Sequence, residues 1–376
     1  MVDSLESLRL APLTLPPAAP AKAGAVSLEL LANVLRWMLR ARFIDERLEK
    51  LQRQGRIGFH VGALGEEGAI LGATAALKAD DWIVPCYREF AALLYRGYPL
   101  ERYLDNVYGN CDDVVQGRQM PDHVTSRALN YLSVSSPVGT QITQATGLAW
   151  AAKLKGERRV AAVFFGDGAT SSNDFHAALT IAGVHKLPTL FLCRNNHFAI
   201  SVPTDQQCAA SSFAAKGEGY GVLGLKVDGN DVAAVITAVQ AARARALAGD
   251  GPTLLELDTY RLGGHSTSDD PTRYRSQEEF EAFQAKDPVV RLRETLTQAG
   301  AWSEALEADA LAQIKTELTQ AVGRSEAKAK PPLSSVFHDV YAEMPWHLRA
   351  QWREAEAAAD RSAEASSVKP EGGQDV

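Results

Sequence analysis

Apolar residues recur at helical spacing through residues 27–54, SLELLANVLRWMLRARFIDERLEKLQRQ, with Ser27 placed to cap the run and Gly55 to end it, which predicts an amphipathic helix. A glycine-rich stretch, 55–68, then leads into a small-residue helix over 69–78. Its glycines are explained as well by close helix packing as by ligand contact, so no chemistry is assigned to them. Residues 80–96 place a short apolar strand before Tyr87-Arg88-Glu89, which opens a helix. Further on, two apolar runs end abruptly in polar turn-formers: 160–165 in Gly166-Asp167-Gly168, and 189–193 in Arg194-Asn195-Asn196. A helix over 174–184 joins them. The alternation continues with a strand at 222–227, a turn at 228–231, a helix over 232–247 and a strand at 253–260.

Strand, crossover helix and strand repeated in this way predict an α/β fold with a doubly wound, mostly parallel sheet flanked by helices. The rest reads as helical, over 277–285, 288–299 and 305–329, until Lys330-Pro331-Pro332 breaks the pattern. Val336, Phe337, Val340, Tyr341, Met344 and Trp346 then crowd together as a docked segment would. The expected organisation is a flexible arm at 1–26, an α/β domain at 27–285, a helical extension at 286–356 and a disordered tail at 357–376.

Composition narrows the partners. In 376 residues with 46% hydrophobic content and a net charge of -7 there is no basic field for nucleic acid and no apolar run long enough to cross a membrane. Four cysteines without CxxC spacing suit a reducing compartment, and the first 25 residues lack the look of a secretory signal or transit peptide, so a cytoplasmic setting is expected.

In a parallel sheet, ligands gather at the carboxyl ends of the strands. Asp167 offers a hard carboxylate there and Asn196 an amide oxygen, the ligand types that Mg²⁺ accepts while leaving room for substrate phosphates. The flanking glycines let backbone approach a diphosphate, although Gly-Asp-Gly standing alone reads as a turn. Tyr87 and Arg88, where strand meets helix, suit an anion or a surface ion pair. The polar connection 105–130 reads as a functional loop; His123 within it reads as a surface histidine. Ser135, Ser136, Thr140 and Gln141 place oxygens ahead of a helix, fit for a cap, a cofactor ring or a monovalent cation. The aperiodic segment 261–276 reads as a mobile catalytic loop, and His265 within it is the best acid/base candidate, expected to titrate near neutral pH.

Taken in order, YREFAALLYRGYPLE, YGNCDDVVQGRQMPDH, SSPVGTQ, GDG with NN, GYGVLGLKVDGNDV, TYRLGGHSTSDD and VFHDVYAEMP resemble the α subunit of the decarboxylating first component of 2-oxo acid dehydrogenase complexes, the branched-chain type above all. The resemblance spans 27–348 and implies a thiamine diphosphate-binding fold. It implies that Asp167, Asn196 and the carbonyl of Phe198 bind Mg²⁺, that Tyr87, Arg88 and Arg194 hold the diphosphate with backbone help from Gly168 and Ala169, and that Ser136 and Val138 lie against the aminopyrimidine. Ser135, Pro137, Thr140 and Gln141 match a K⁺ site in relatives, and His265 the active-site histidine. The implied reaction is oxidative decarboxylation of branched-chain 2-oxo acids with transfer of the acyl group to a lipoyl group on an acyltransferase component. A β subunit in an α₂β₂ tetramer is implied to complete the site, leaving this chain inactive alone. Pyruvate or acetoin dehydrogenase and a non-catalytic scaffold are the alternatives. The chain departs from its relatives at Ser172-Asn173 and at His197, where altered packing or substrate shape is expected, and Ser266 aligns with a serine that mitochondrial relatives phosphorylate.

Overall fold

The computed structural model describes residues 26–338 and 340–367. The expected arm, but for Val26, and the last nine residues of the expected tail lie outside the described residues. Helix α1, Leu28–Arg53, begins where Ser27 Oγ accepts the Leu30 N–H, and α2, Glu67–Ala76, follows the glycine-rich stretch. Strand β1, Trp82–Val84, leads through Tyr87-Arg88-Glu89 into α3, Phe90–Tyr95, and α4, Leu100–Tyr108. The long connection therefore starts later than expected: Leu104 and Val107 bury themselves and carry α4 on until Gly109 ends it in a left-handed conformation.

Helix α5, Thr140–Leu154, strand β2, Ala161–Gly166, helix α6, Asn173–Val184, and strand β3, Thr189–Asn195, form the central unit. A small hairpin, β4 Phe198–Ala199 with β5 Val202–Pro203, interrupts before β6, Leu223–Asp228, α7, Val232–Leu247, and β7, Thr253–Asp258. The main sheet has the order β1-β2-β3-β7-β6, and every pairing in it is parallel.

Because side chains alternate along a strand, a sheet covered on both sides needs strands that are apolar throughout. Ala162 and Phe164 of β2 join Leu190, Leu192, Leu255 and Leu257 in one core, while Ala161, Val163 and Phe165 join Phe191, Cys193 and Leu254 in the other. The first core takes in α1, α2 and α7 and also Leu292 and Leu296 of α9, Pro288–Gln298, and Ile314 and Leu318 of α10, Glu304–Ala327. The division at 285/286, just past α8, Gln277–Gln284, therefore falls within one continuous core.

Two expectations at the end of the chain are corrected. Val336, Val340, Tyr341 and Trp346 are each more than half exposed, so these four do not dock on their own chain, although Phe337 stacks on Trp352. Helix α11, Trp346–Ser367, also runs past 357, where a disordered tail was expected; its Ala, Glu and Arg residues are strong helix formers.

Candidate active site

Parallel pairing sends the carboxyl ends of β1, β2, β3 and β7 to one edge of the sheet, and there the chain collects its charged residues. Gly166 pairs with Arg194, so Asp167 and the Asn195-Asn196 pair step off adjacent strands together. Asp167 is almost fully buried and accepts from Gln207 Nε2 at 2.9 Å. Burial raises its pKa, against the hydrogen bonds of Gln207 and of the backbone at Asp167 and Asn196. No cationic side chain forms an ion pair with it among the described residues. Gly168 follows in a tight spot, because a Cβ there would lie 2.9 Å from Cβ of Ala199.

Arg194 is fully buried at the end of β3, ion-paired with Glu66 and 2.6 Å from Glu89 Oε1. Glu66 ties the cluster together: besides Arg194, it accepts from Asn196 Nδ2 at 2.9 Å and lies 3.6 Å from Arg88 Nε. Burial opposes its charge, but Arg194, Arg88 and the Asn196 amide outweigh burial and hold its pKa below the usual range. At Glu89 burial wins instead, against the charge of Arg194, and the pKa rises. With its Nδ2 committed to Glu66, Asn196 keeps its oxygen for acceptance, here from the Phe198 N–H at 3.2 Å. The Phe198 carbonyl accepts from Arg261 Nη1 at 3.3 Å.

Arg88 reaches from the end of β1 to the 261–276 loop. Its Nη1 donates to the Gly62 carbonyl at 2.6 Å, and its Nη2 to the His265 carbonyl at 2.8 Å and to His265 Nδ1 at 3.2 Å. A guanidinium can only donate, so Nδ1 is the acceptor and the imidazole proton sits on Nε2. Burial and the nearby charges of Arg88 and Arg261 push the His265 pKa down to about 4, beyond what Asp269 and Glu66 restore. The expectation that it titrates near neutral pH is thus corrected: it is a neutral donor there. Tyr87 stands edge-on to the His265 ring at 6.0 Å. The loop itself is tied down: Asp269 accepts from the His265 N–H and the Tyr274 hydroxyl, both at 2.6 Å, and Arg261 Nη2 donates to Tyr274 at 2.7 Å.

The 135–141 turn arrives at the same edge from α5. Gln141 is buried, donates from Nε2 to the Phe164 carbonyl at 3.2 Å, and leaves Oε1 with no partner. Ser135 and Thr140 are half-buried, whereas Ser136, Pro137 and Val138 are exposed. His123, read from the sequence as a surface histidine, is buried; its Nδ1 faces the Pro121 carbonyl at 2.9 Å and its Nε2 the Ser136 hydroxyl. Ala169 is buried in the turn after β2.

Sequence reasoning missed Glu66, Arg261 and the role of His123. A signal for Glu66 was present: two adjacent glutamates open an apolar helix without a basic residue within reach along the chain. The departures also find local explanations. Ser172 caps α6 by accepting from the Phe175 N–H at 3.3 Å. His197, at φ 72°, makes a 2.9 Å contact from Nε2 to Asp258 Oδ1 and packs on Phe283.

Residues 35–334 match the family described as "Dehydrogenase E1 component". Over 309 residues the chain is 45% identical to the mitochondrial 2-oxoisovalerate dehydrogenase subunit alpha of Bos taurus, covering 82% of this chain and 68% of that protein. It is 42% identical over 327 residues to the mitochondrial subunit alpha 2 of Arabidopsis thaliana (87% and 69% covered), and 43% identical over 322 residues to the Caenorhabditis elegans subunit alpha (85% and 74%). All three are named as mitochondrial, which overturns the expectation of a cytoplasmic setting. Free cysteines report thiol chemistry and not which compartment a chain occupies. The buried acid and amide at adjacent strand ends, the arginines beside them and a match across 35–334 agree: this chain belongs to the dehydrogenase E1 component family.

Proposed function

We propose that this chain is the α subunit of a branched-chain 2-oxo acid dehydrogenase, acting with a β subunit in an α₂β₂ tetramer on substrates such as 3-methyl-2-oxobutanoate and passing the acyl group to a lipoyl group on an acyltransferase component. The observation that carries the reading is Asp167, a buried carboxylate that no cationic side chain pairs with among the described residues, at the edge where Arg88, Arg194 and His265 converge. A buried charge needs a counter-charge, and Mg²⁺ fits this one. Asp167, the Asn196 oxygen and the Phe198 carbonyl would hold the ion, a donor set with one carboxylate.

The same edge fits thiamine diphosphate. Tyr87, Arg88 and Arg194 supply donors for the diphosphate, Gly168 and Ala169 bring backbone against it where a larger residue at 168 would strike Ala199, and Ser136 and Val138 stand exposed for the aminopyrimidine. The unpartnered Gln141 Oε1 supports a K⁺ site with Ser135, Pro137 and Thr140. When bound, thiamine diphosphate supplies a carbon nucleophile and an electron sink for loss of carbon dioxide. His265, neutral and carrying its proton on Nε2, donates to the negative oxygens of the substrate. Its shared contact with Arg88 fixes the ring relative to the diphosphate site.

The test is turnover by the chain co-expressed with its β subunit on 3-methyl-2-oxobutanoate, pyruvate and acetoin, with and without thiamine diphosphate and Mg²⁺, beside calorimetric binding of both to the complex carrying D167N. Cofactor-dependent turnover favouring the branched substrate, with binding to D167N weakened roughly 100-fold for the lost metal charge, is expected. Preference for pyruvate or acetoin would move the substrate assignment, and unchanged binding to D167N would remove the metal site.

A further inference from the structure

Behind the site lies a buried ionic group that the reaction does not use. His60, on the glycine-rich stretch between α1 and α2, is 2% exposed, and both its ring nitrogens face carboxylates. Nε2 is 2.9 Å from Asp45 Oδ1 of α1, and Nδ1 is 3.2 Å from both oxygens of Asp122 on the 110–130 connection. Carboxylates only accept, so both nitrogens donate and the ring is an imidazolium. Burial pulls its pKa down, but the charges and hydrogen bonds of Asp122 and Asp45 overcome burial and raise it to about 10.

Each carboxylate also takes a backbone N–H from the same short strap: Asp122 Oδ2 from Val61 and Asp45 Oδ2 from Ala63, both at 2.8 Å. The Tyr103 hydroxyl of α4 donates to Asp122 Oδ1 at 2.6 Å. Residues 60–63 are thus held at three points from two separate elements, far more firmly than a glycine-rich loop holds itself. Two features of this strap face the active site. The Gly62 carbonyl receives Arg88 Nη1, and His60 exchanges two bonds with Thr267, its N–H to Thr267 Oγ1 at 3.3 Å and its carbonyl from the Thr267 N–H at 3.1 Å. Thr267 is two residues from His265.

We propose that His60 is a positioning residue for the 261–276 loop: gripped by Asp45 and Asp122, it presents the 60–63 strap that seats Arg88 and clips the loop at Thr267, and so sets where His265 stands. This rests on the reading of His265 as the group that meets the 2-oxo acid. The grip is electrostatic, so the loop's place depends on charges on α1 and on the 110–130 connection that bond the strap and Tyr103 and not the loop itself.

The test uses the complex with the β subunit and three variants: H60Q, which removes the charge and one of the two ring donors; T267V, which removes the hydroxyl half of the clip, keeps the Thr267 N–H bond to the His60 carbonyl and leaves the buried group whole; and T267S, which keeps the hydroxyl. Trypsin cleavage after the exposed Arg273 reads loop opening, and steady-state kinetics with 3-methyl-2-oxobutanoate separates KM from kcat. H60Q and T267V should each speed cleavage after Arg273 roughly tenfold, as expected for one or two lost hydrogen bonds in a local opening equilibrium, and raise KM more than they lower kcat. T267S should restore both readouts. If both T267V and H60Q cleave at the wild-type rate, neither the hydroxyl contact nor the gripped ring holds the loop, and the proposal fails. Faster cleavage with unchanged KM would leave the positioning standing and overturn His265 as a substrate contact.

Discussion

The residue whose state differs most from its sequence reading is His265. On a polar loop a histidine is expected to titrate near neutrality, but here burial and the Arg88 and Arg261 guanidiniums depress its pKa to about 4. The sign of the consequence follows from linkage. Between pH 6.5 and 4 the unfolded chain binds a proton at this position that the folded chain refuses, so the folded state loses stability as pH falls through that window. H265Q removes the penalty. The Tm of H265Q relative to the parent chain should therefore rise as pH is lowered from 7 to 4 in a calorimetric series, and a constant difference would show that the ring is not held neutral. The site was legible where its residues end strands: Asp167, Arg194 and Asn196 follow apolar runs, and the parallel sheet does the rest. Glu66 and Arg261 were harder to read, because each matters through partners remote in sequence, as Glu66 does through Arg194, 128 residues away; His123 was read as exposed, and its burial against Pro121 and Ser136 depends on how the connection folds.

Among the elements, the meeting of α5 and α6 shows how closely the turn at 135–141 is fixed. Gly139 caps α5 at φ 95°, and a Cβ there would lie 2.1 Å from Ser172 Oγ, the very oxygen that caps α6. G139A should therefore destabilise the chain by about 3 kcal/mol, from left-handed strain together with overlap. S172A alone should remove about 1 kcal/mol as a lost cap. Because the alanine side chain gives back the space of the hydroxyl, the double variant should be less damaged than the sum of the two; a denaturant cycle giving strict additivity would separate the two helix starts. Helix α7 was readable from spacing to the residue, with Asp231 as its cap and one face buried, whereas α4 and the far end of α11 were not. What spacing could not show was where an apolar cluster goes. Val336, Val340, Tyr341 and Trp346 read as docked, yet they face outward.

That outward cluster is an argument about the whole molecule. A monomer seldom leaves several large apolar side chains exposed together, and this chain adds Leu154, Ile181 and Val184 on α5 and α6 to those near α11. Relatives named as subunits agree with the tetramer proposed above, in which the β subunit would finish this surface. The site points the same way, since Ser136 and Val138, proposed above to face the aminopyrimidine, are open on this chain alone. An environment-sensitive dye should bind the isolated chain and be displaced when the β subunit is added. Trp346 is 76% exposed and packs against little of its own chain, so W346S should leave the Tm of the isolated chain unchanged. If Trp346 is an anchor of the interface, the same change should weaken assembly roughly 30-fold, as truncation of a buried aromatic at an interface does. Assembly of W346S at the parent affinity, measured by sedimentation, would place the β subunit elsewhere, with the exposed Leu154, Ile181 and Val184 of α5 and α6 as the next residues to test.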